Sequence, residues 1–350
     1  MLKASPENNA PRAPRCSLIV PCRNEAAHIR DCLTSILRQE SPPGGFEVLV
    51  VDGMSTDGTR EIIQEISRND PRVRLLDNSG CFQSYAMNLG IRAARGEIIL
   101  RLDAHTEYAP DYVRRAVETL ENTGAQNVGG PTRAVGNSYI QKAVAAAFHS
   151  PFAVGWGRSH RLDYEGYVDT VTYGCWRKDT LIKVGLFDET LVRNQDDELN
   201  LRIIQAGGKI WQTPRIRSWY RPRNSLKALF HQYLQYGYWK VAVIRKHRQV
   251  AALRHIVPGA FVVSLGVFLL LAPFSYWARL FLTALSVGYS GALLGASVFS
   301  CRTHGWDLLP IMPLTICCYH FGYGLGFVRG LIDFFLRRRD PRPIFTTLTR

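Results

Sequence analysis

From residue 16 onward, short apolar runs alternate with segments whose apolar residues recur at helical spacing. Residues 17–20 predict a buried strand, and Pro21-Cys22-Arg23-Asn24-Glu25 forms the loop after it. Ile29, Leu33, Ile36 and Leu37 then predict a helix over 26–38. Pro42-Pro43-Gly44-Gly45 breaks the chain before a second strand at 46–51, which ends in Asp52. A helix follows at 59–67, with Ile62, Ile63 and Ile66 on its apolar side, then a short strand at 73–76 and a helix at 82–94. Within GEIILRLDAHTEY, residues 96–108, Ile98, Ile99, Leu100 and Leu102 read as a short apolar strand that runs into Asp103-Ala104-His105. Strands and helices alternating in this way predict an α/β domain with a mostly parallel sheet and right-handed crossovers. A helix at 111–121 should cover the sheet edge. Residues 129–186 are rich in Gly and aromatics with weak periodicity, and Tyr173-Gly174-Cys175-Trp176 reads as pocket wall. The acids Asp196, Asp197 and Glu198 open a helix that ends at Gly207-Gly208, where they complement the helix dipole.

Beyond Trp219 the pattern changes. Residues 221–254 are basic and aromatic, and the runs 256–274, 280–300 and 308–328 each lack Asp, Glu, Lys and Arg. Crossing a hydrocarbon core takes about 20 apolar residues, so the runs predict about three transmembrane helices. The basic stretch before them reads as a cytoplasmic, lipid-facing collar. Three full spans would leave Arg337-Arg338-Arg339 outside, against the positive-inside tendency. The expected organisation is a disordered tail at 1–15, a catalytic domain at 16–225 and a basic aromatic interfacial segment at 226–255. Transmembrane helices at 256–336 and a basic tail at 337–350 complete it. The chain is thus expected to be multi-pass in an inner (cytoplasmic) membrane, with the catalytic domain in the cytoplasm.

Charge narrows the partners. Lys and Arg total 43 against 29 Asp and Glu, a formal net charge of +14, which suits nucleic acid, an anionic membrane face or phosphorylated substrates. The three apolar runs favour the membrane, and no nucleic-acid partner is expected. The eight cysteines show no CxxC spacing, which indicates neither a zinc site nor a disulfide framework. The first 15 residues carry no apolar core of a signal peptide. No GxGxxG links a strand to a helix, so an ordinary dinucleotide fold is not supported. An acid at the end of a strand with an imidazole two positions on, Asp103 and His105, puts two candidate metal ligands on one side of the chain.

Five motifs in order then carry a resemblance: VPCRNE (20–25), VVDGMSTDGT (50–59), the segment 78–90, RLDAH (101–105) and NQDDELN (194–200). Residues 16 to about 239 resemble family 2 glycosyltransferases of the Rossmann-like GT-A fold. Within them, the chain looks most like the membrane-anchored, succinoglycan-type glucosyltransferases of bacterial exopolysaccharide assembly. The resemblance implies that Pro21, Arg23 and Glu25 border the nucleotide and that Asp52 accepts a hydrogen bond from the base. Asp103 and His105 would occupy the DxD position and hold a divalent metal, Mn²⁺ or Mg²⁺, on the diphosphate. Asp57, Asn88, Arg101, Trp176 and Trp239 join the implied nucleotide-sugar site, and Asp196 is the implied general base.

Three departures shape these expectations. Gly53-Met54 interrupt the second motif and leave the role of Asp57 open. The DxD ends in His105. Gln195 stands where the family has Glu, and Asp197 follows at once, so the base is either Asp196 or Asp197. Processive polymerases of the family carry Gln-x-x-Arg-Trp, whereas residues 235–239 read QYGYW, which points to single addition. The expected reaction moves a sugar, with inversion, from a UDP-sugar to a polyprenyl-diphosphate-linked saccharide, within a polysaccharide assembly complex. The alternatives are a processive synthase and a catalytically silent membrane partner of an export complex.

Overall fold

The structure is a computed structural model that describes residues 13–347. Most of the expected N-terminal tail and the last three residues of the basic tail lie outside the described residues. Arg15, the last residue of that expected tail, is fastened. Its N–H donates to Gly44 O at 3.0 Å, and its guanidinium pairs with Glu121.

Side chains that alternate across β1 (Cys16–Cys22) and β2 (Phe46–Asp52) build a sheet with two apolar faces. Leu18, Val20, Val48 and Val50 join one core, with Ile29, Leu33 and Ile36 of α1 (Ile29–Leu37). Ile19, Leu49 and Val51 join the other, with Met87 and Ile91 of α3 (Gln83–Ala93), while α2 (Thr59–Asn69) packs against β3 (Val73–Asp77). The crossover helix α3 lies so close to β1 that a Cβ at Gly90 would stand 2.6 Å from Ile19 Cγ2. β4 (Ile98–Arg101) pairs parallel on the other side of β1.

The short strand expected before Asp103-Ala104-His105 is β4. β4 stops at Arg101, β5 (Thr106–Tyr108) belongs to a second sheet, and α4 (Tyr112–Thr123) follows it in the chain. The segment that lacked a pattern is well structured. It holds the end of β6 (Asn127–Gly129), then β7 (Thr132–Ala134), α5 (Tyr139–Phe148), α6 (Pro151–Val154), β8 (Gly166–Tyr167), β9 (Cys175–Arg177) and α7 (Lys178–Lys183). A capping box between Ser138 and Gln141 starts α5. After α8 (Gln195–Gln205) come β10 (Ile210–Gln212) and β11 (Ser218–Tyr220). The large sheet runs β3-β2-β1-β4-β9-β6-β10-β8, with β9 antiparallel to β4 and β6; the small one runs β5-β11-β7. Register sets Cys22 beside Asp52 and Ile19 beside Arg101, so the carboxyl ends of β1, β2 and β4 share one edge.

The helical region departs from the expectation of three spans. The basic aromatic segment is the helix α9 (Leu226–His247), with Gln235, Tyr238, Trp239 and Lys240 buried. α10 (Val257–Leu271) has 15 residues, about 22 Å at 1.5 Å each and short of a hydrocarbon core of about 30 Å. α11 (Tyr276–His304) is, among the described residues, the one helix long and apolar enough to cross a membrane by length and composition. α12 (Met312–Leu331) lies instead along α9, glycine to backbone: a Cβ at Gly326 would stand 2.0 Å from Leu234 O. Its glycine face is therefore a helix–helix interface.

The described part of the expected basic tail is not free. In α13 (Pro343–Thr346), Phe345 stacks on Tyr238 with ring centroids 3.7 Å apart, and its carbonyl accepts from Trp239 Nε1 at 2.8 Å. The chain thus returns to the side of the catalytic domain after α12.

Candidate active site

The shared strand edge opens into a cleft of about 1070 Å³, closed on its other side by α8, α9 and the start of α10. The end of β1 and the loop after it bring Pro21, Arg23 and Glu25 to it, the end of β4 and the turn after it bring Arg101, Asp103 and His105, and α8 brings Asp196 and Asp197. Asn24 and Asp57 tie the two flanking loops together. Asn24 Oδ1 accepts from Thr56 N–H at 3.0 Å, and Asp57 accepts from the N–H groups of Ala26 and Thr59 at 3.1 Å.

Arg101 is the hub. Buried at the end of β4, it binds both oxygens of Asp103 at 2.9 and 3.0 Å and reaches Asp196 Oδ1 at 2.6 Å. Tyr173 lies against the guanidinium at 5.6 Å. The strand-end acid and the first-turn acid of α8 therefore belong to one ion network, although 93 positions separate them in sequence.

The neighbours Asp196 and Asp197 differ in kind. Burial raises the Asp196 carboxyl above its ordinary value, and Arg101 offsets only part of that. Burial also works to raise Asp197, but Lys240 at 2.5 Å overrides it and brings the group down to about 2, with Thr170 donating at 3.0 Å. Asp196 is thus the better proton acceptor, and Asp197 is a fixed anion.

His105 Nδ1 is enclosed by protein and makes no hydrogen bond among the described residues; it lies 3.7 Å from Glu25 Oε1. An unpartnered imidazole nitrogen beside a carboxylate, with Asp103 on the same cleft, is a donor set that fits a divalent cation. Among the described residues no three His, Cys, Asp or Glu side chains are grouped to hold a metal by themselves. Ligand oxygens would have to complete the shell.

Five residues expected at the nucleotide sugar do not line the cleft. Asp52 is fully buried and accepts from Ser55 N–H at 3.0 Å and from Arg60 at 2.8 Å, because its strand ends below the loop. Asp57 is engaged as described above. Asn88 faces inward from α3, where it donates to Phe187 O and accepts from Phe187 N–H at 2.8 and 2.9 Å. Trp176 lies in the core, edge to face with Phe187, since β9 turns it to the lower face of the sheet. Trp239 is turned to the C-terminal segment. In exchange the cleft contains Lys240, which looked like part of a lipid-facing collar. Its signal is a cation set between Tyr238-Trp239 and the apolar run Val241–Ile244.

Residues 17–189 match the family model described as Glycosyl transferase family 2. The chain is 35% identical to the succinoglycan biosynthesis protein ExoA of Rhizobium meliloti, over 92% of this chain and 96% of that protein. It is 29% identical, over 90% of this chain and 97% of the relative, to the Methanococcus voltae dolichyl N-acetyl-alpha-D-glucosaminyl phosphate 3-beta-D-2,3-diacetamido-2,3-dideoxy-beta-D-glucuronosyltransferase. In fold it is similar to the mannosyltransferase PcManGT from Pyrobaculum calidifontis, solved with GDP-Man and Mn²⁺. The TM-score is 0.62 at 21% identity, covering 91% of this chain and 88% of that one.

Proposed function

The chain belongs to glycosyltransferase family 2, and from that premise we propose an inverting transferase that moves a sugar from a nucleoside diphosphate sugar to a lipid-linked saccharide. It acts in exopolysaccharide or cell-surface glycan assembly. The observation that carries this reading is the meeting of Asp103 and Asp196 in one cleft, with the Asp196 carboxyl raised by burial. A sugar hydroxyl is a weak nucleophile. Asp196 accepts its proton as the oxygen bonds to the anomeric carbon and the diphosphate leaves from the opposite face. Asp103 and His105 would hold a divalent cation that offsets charge on the leaving diphosphate. Arg101 keeps both acids oriented.

A UDP-sugar is the donor we favour, although Asp52, expected to read the base, is engaged by Ser55 and Arg60. Two features support a lipid-linked acceptor. The relative from Methanococcus voltae is named for a dolichyl phosphate substrate. Leu269, Leu270, Phe281 and Val287 are exposed on α10 and α11, as a lipid-facing hairpin at the cytoplasmic side of the membrane would need. Tyr238, at the position where polymerases carry Arg, stacks on Phe345 and lies outside the cleft lining, which favours single addition.

The test is a panel of sugar nucleotides offered to membranes containing the expressed protein, with labelled lipid-linked saccharides and Mn²⁺ or Mg²⁺. One donor should extend the acceptor by one sugar. A ladder of products would instead establish a polymerase, and no transfer from any donor would refute the reading.

A further inference from the structure

Part of the cleft has no role in this chemistry. Lys240 on α9, Arg254 and His255 in the turn Leu253–His255, and Tyr323 on α12 all line it. Lys240 bonds Asp197 at 2.5 Å and Arg254 bonds Asp169; each makes one side-chain hydrogen bond among the described residues. An ammonium has three N–H donors and a guanidinium five, so most of this capacity is unused. His255 Nδ1 and the Tyr323 hydroxyl are enclosed by protein and have no hydrogen-bond partner among the described residues. Enclosed polar groups without partners are rare and costly, and they point to a missing ligand. The four side chains form one group. His255 feels the charges of Lys240, Asp197 and Arg254, and Tyr323 those of Asp197 and Arg254.

Position identifies the ligand. The turn with Arg254 and His255 leads directly into α10, and Leu253 beside them is 80% exposed. A lipid lying along α10 would bring its headgroup to these donors, next to Asp196. Asp169 and Asp197 balance the charges of Lys240 and Arg254, and an entering phosphate would gain the unused N–H and O–H donors. We propose that Lys240, Arg254, His255 and Tyr323 form the binding site for the phosphate of the lipid-linked acceptor. The inference rests on the lipid-acceptor reading above.

A phosphate ester is common to acceptor and donor, so the test separates them. The full-length protein in nanodiscs is titrated by calorimetry with farnesyl diphosphate, with farnesol, and with UDP plus Mn²⁺. Farnesyl diphosphate should bind at least about tenfold more tightly than farnesol. Arg254→Gln should weaken it about tenfold, and Tyr323→Phe, which removes only a hydroxyl, about threefold. UDP affinity should stay within about twofold in both. Equal binding of farnesol and farnesyl diphosphate, or unchanged farnesyl diphosphate binding in both variants, overturns the site. UDP affinity falling in step with farnesyl diphosphate assigns the phosphate to the nucleotide and also overturns it. Transfer to a lipid-linked acceptor alongside unchanged farnesyl diphosphate binding sinks this site and leaves the proposed function standing. The predicted losses, with no transfer to any lipid acceptor, would do the reverse.

Discussion

Asp196 and Asp197 share a helix turn, yet one faces a guanidinium shared with Asp103 and the other a lysine of its own. Asp196→Asn should therefore keep nucleotide binding and lower kcat by about two orders of magnitude or more, the usual range for loss of a general base. Because the base must be ionised and its carboxyl is raised, kcat/KM should fall on the acid side at a pH above the ordinary carboxylate range. An acid limb at or below that range, or near-wild-type activity in Asp196→Asn with Asp197→Asn inactive, would transfer the role to Asp197. His105 makes a second prediction. Imidazole favours Mn²⁺ over Mg²⁺ relative to carboxylate, so His105→Asp should lower the Mn²⁺/Mg²⁺ activity ratio. A ratio unchanged in both His105→Asp and His105→Asn would remove His105 from the metal.

At the scale of elements, contacts decide what a motif residue does. Asn88 fastens α3 to Phe187 and Glu189 ahead of α8, so Asn88→Leu leaves the buried backbone groups of Phe187 without partners. It should cost about 2–3 kcal/mol in denaturation, and donor affinity should change only through that loss. A variant as stable as wild type with a raised donor KM would restore Asn88 to the nucleotide site. The α9–α12 contact is equally specific. Gly326→Ala should push the helices apart and cost about 1–3 kcal/mol of thermal stability, because the added Cβ meets the Leu234 carbonyl.

Across the whole molecule, Phe345 on Tyr238 ties the end of the chain to the helix that roofs the cleft. If α10 and α11 form the proposed lipid-facing hairpin, both ends of the region from α10 to α12 would lie on one side of the membrane. In sealed, right-side-out cells, single cysteines at Arg248 and at Arg338 should both resist an impermeant thiol reagent added outside. Labelling at Arg338 alone would restore three crossings; labelling at Arg248 would place the catalytic domain outside.

Periodicity and motif order were enough for the parallel core, the carboxyl-edge loops, Asp103 and the acids at the start of α8, because local spacing controls strands, helices and their ends. The sequence could also show that residues 256–328 are apolar, since hydropathy is a property of composition. It could not show which apolar helix meets lipid and which meets protein. Stripes such as Gly322, Gly326 and Gly330 become an interface only against a partner helix, here α9. Nor could it separate Asp196 from Asp197 or show that Asn88, Trp176 and Trp239 do not line the cleft. Those outcomes depend on Arg101, Lys240, Phe187 and Phe345, residues distant in sequence, and a carboxylate's proton affinity is set by the charges and burial that folding brings to it.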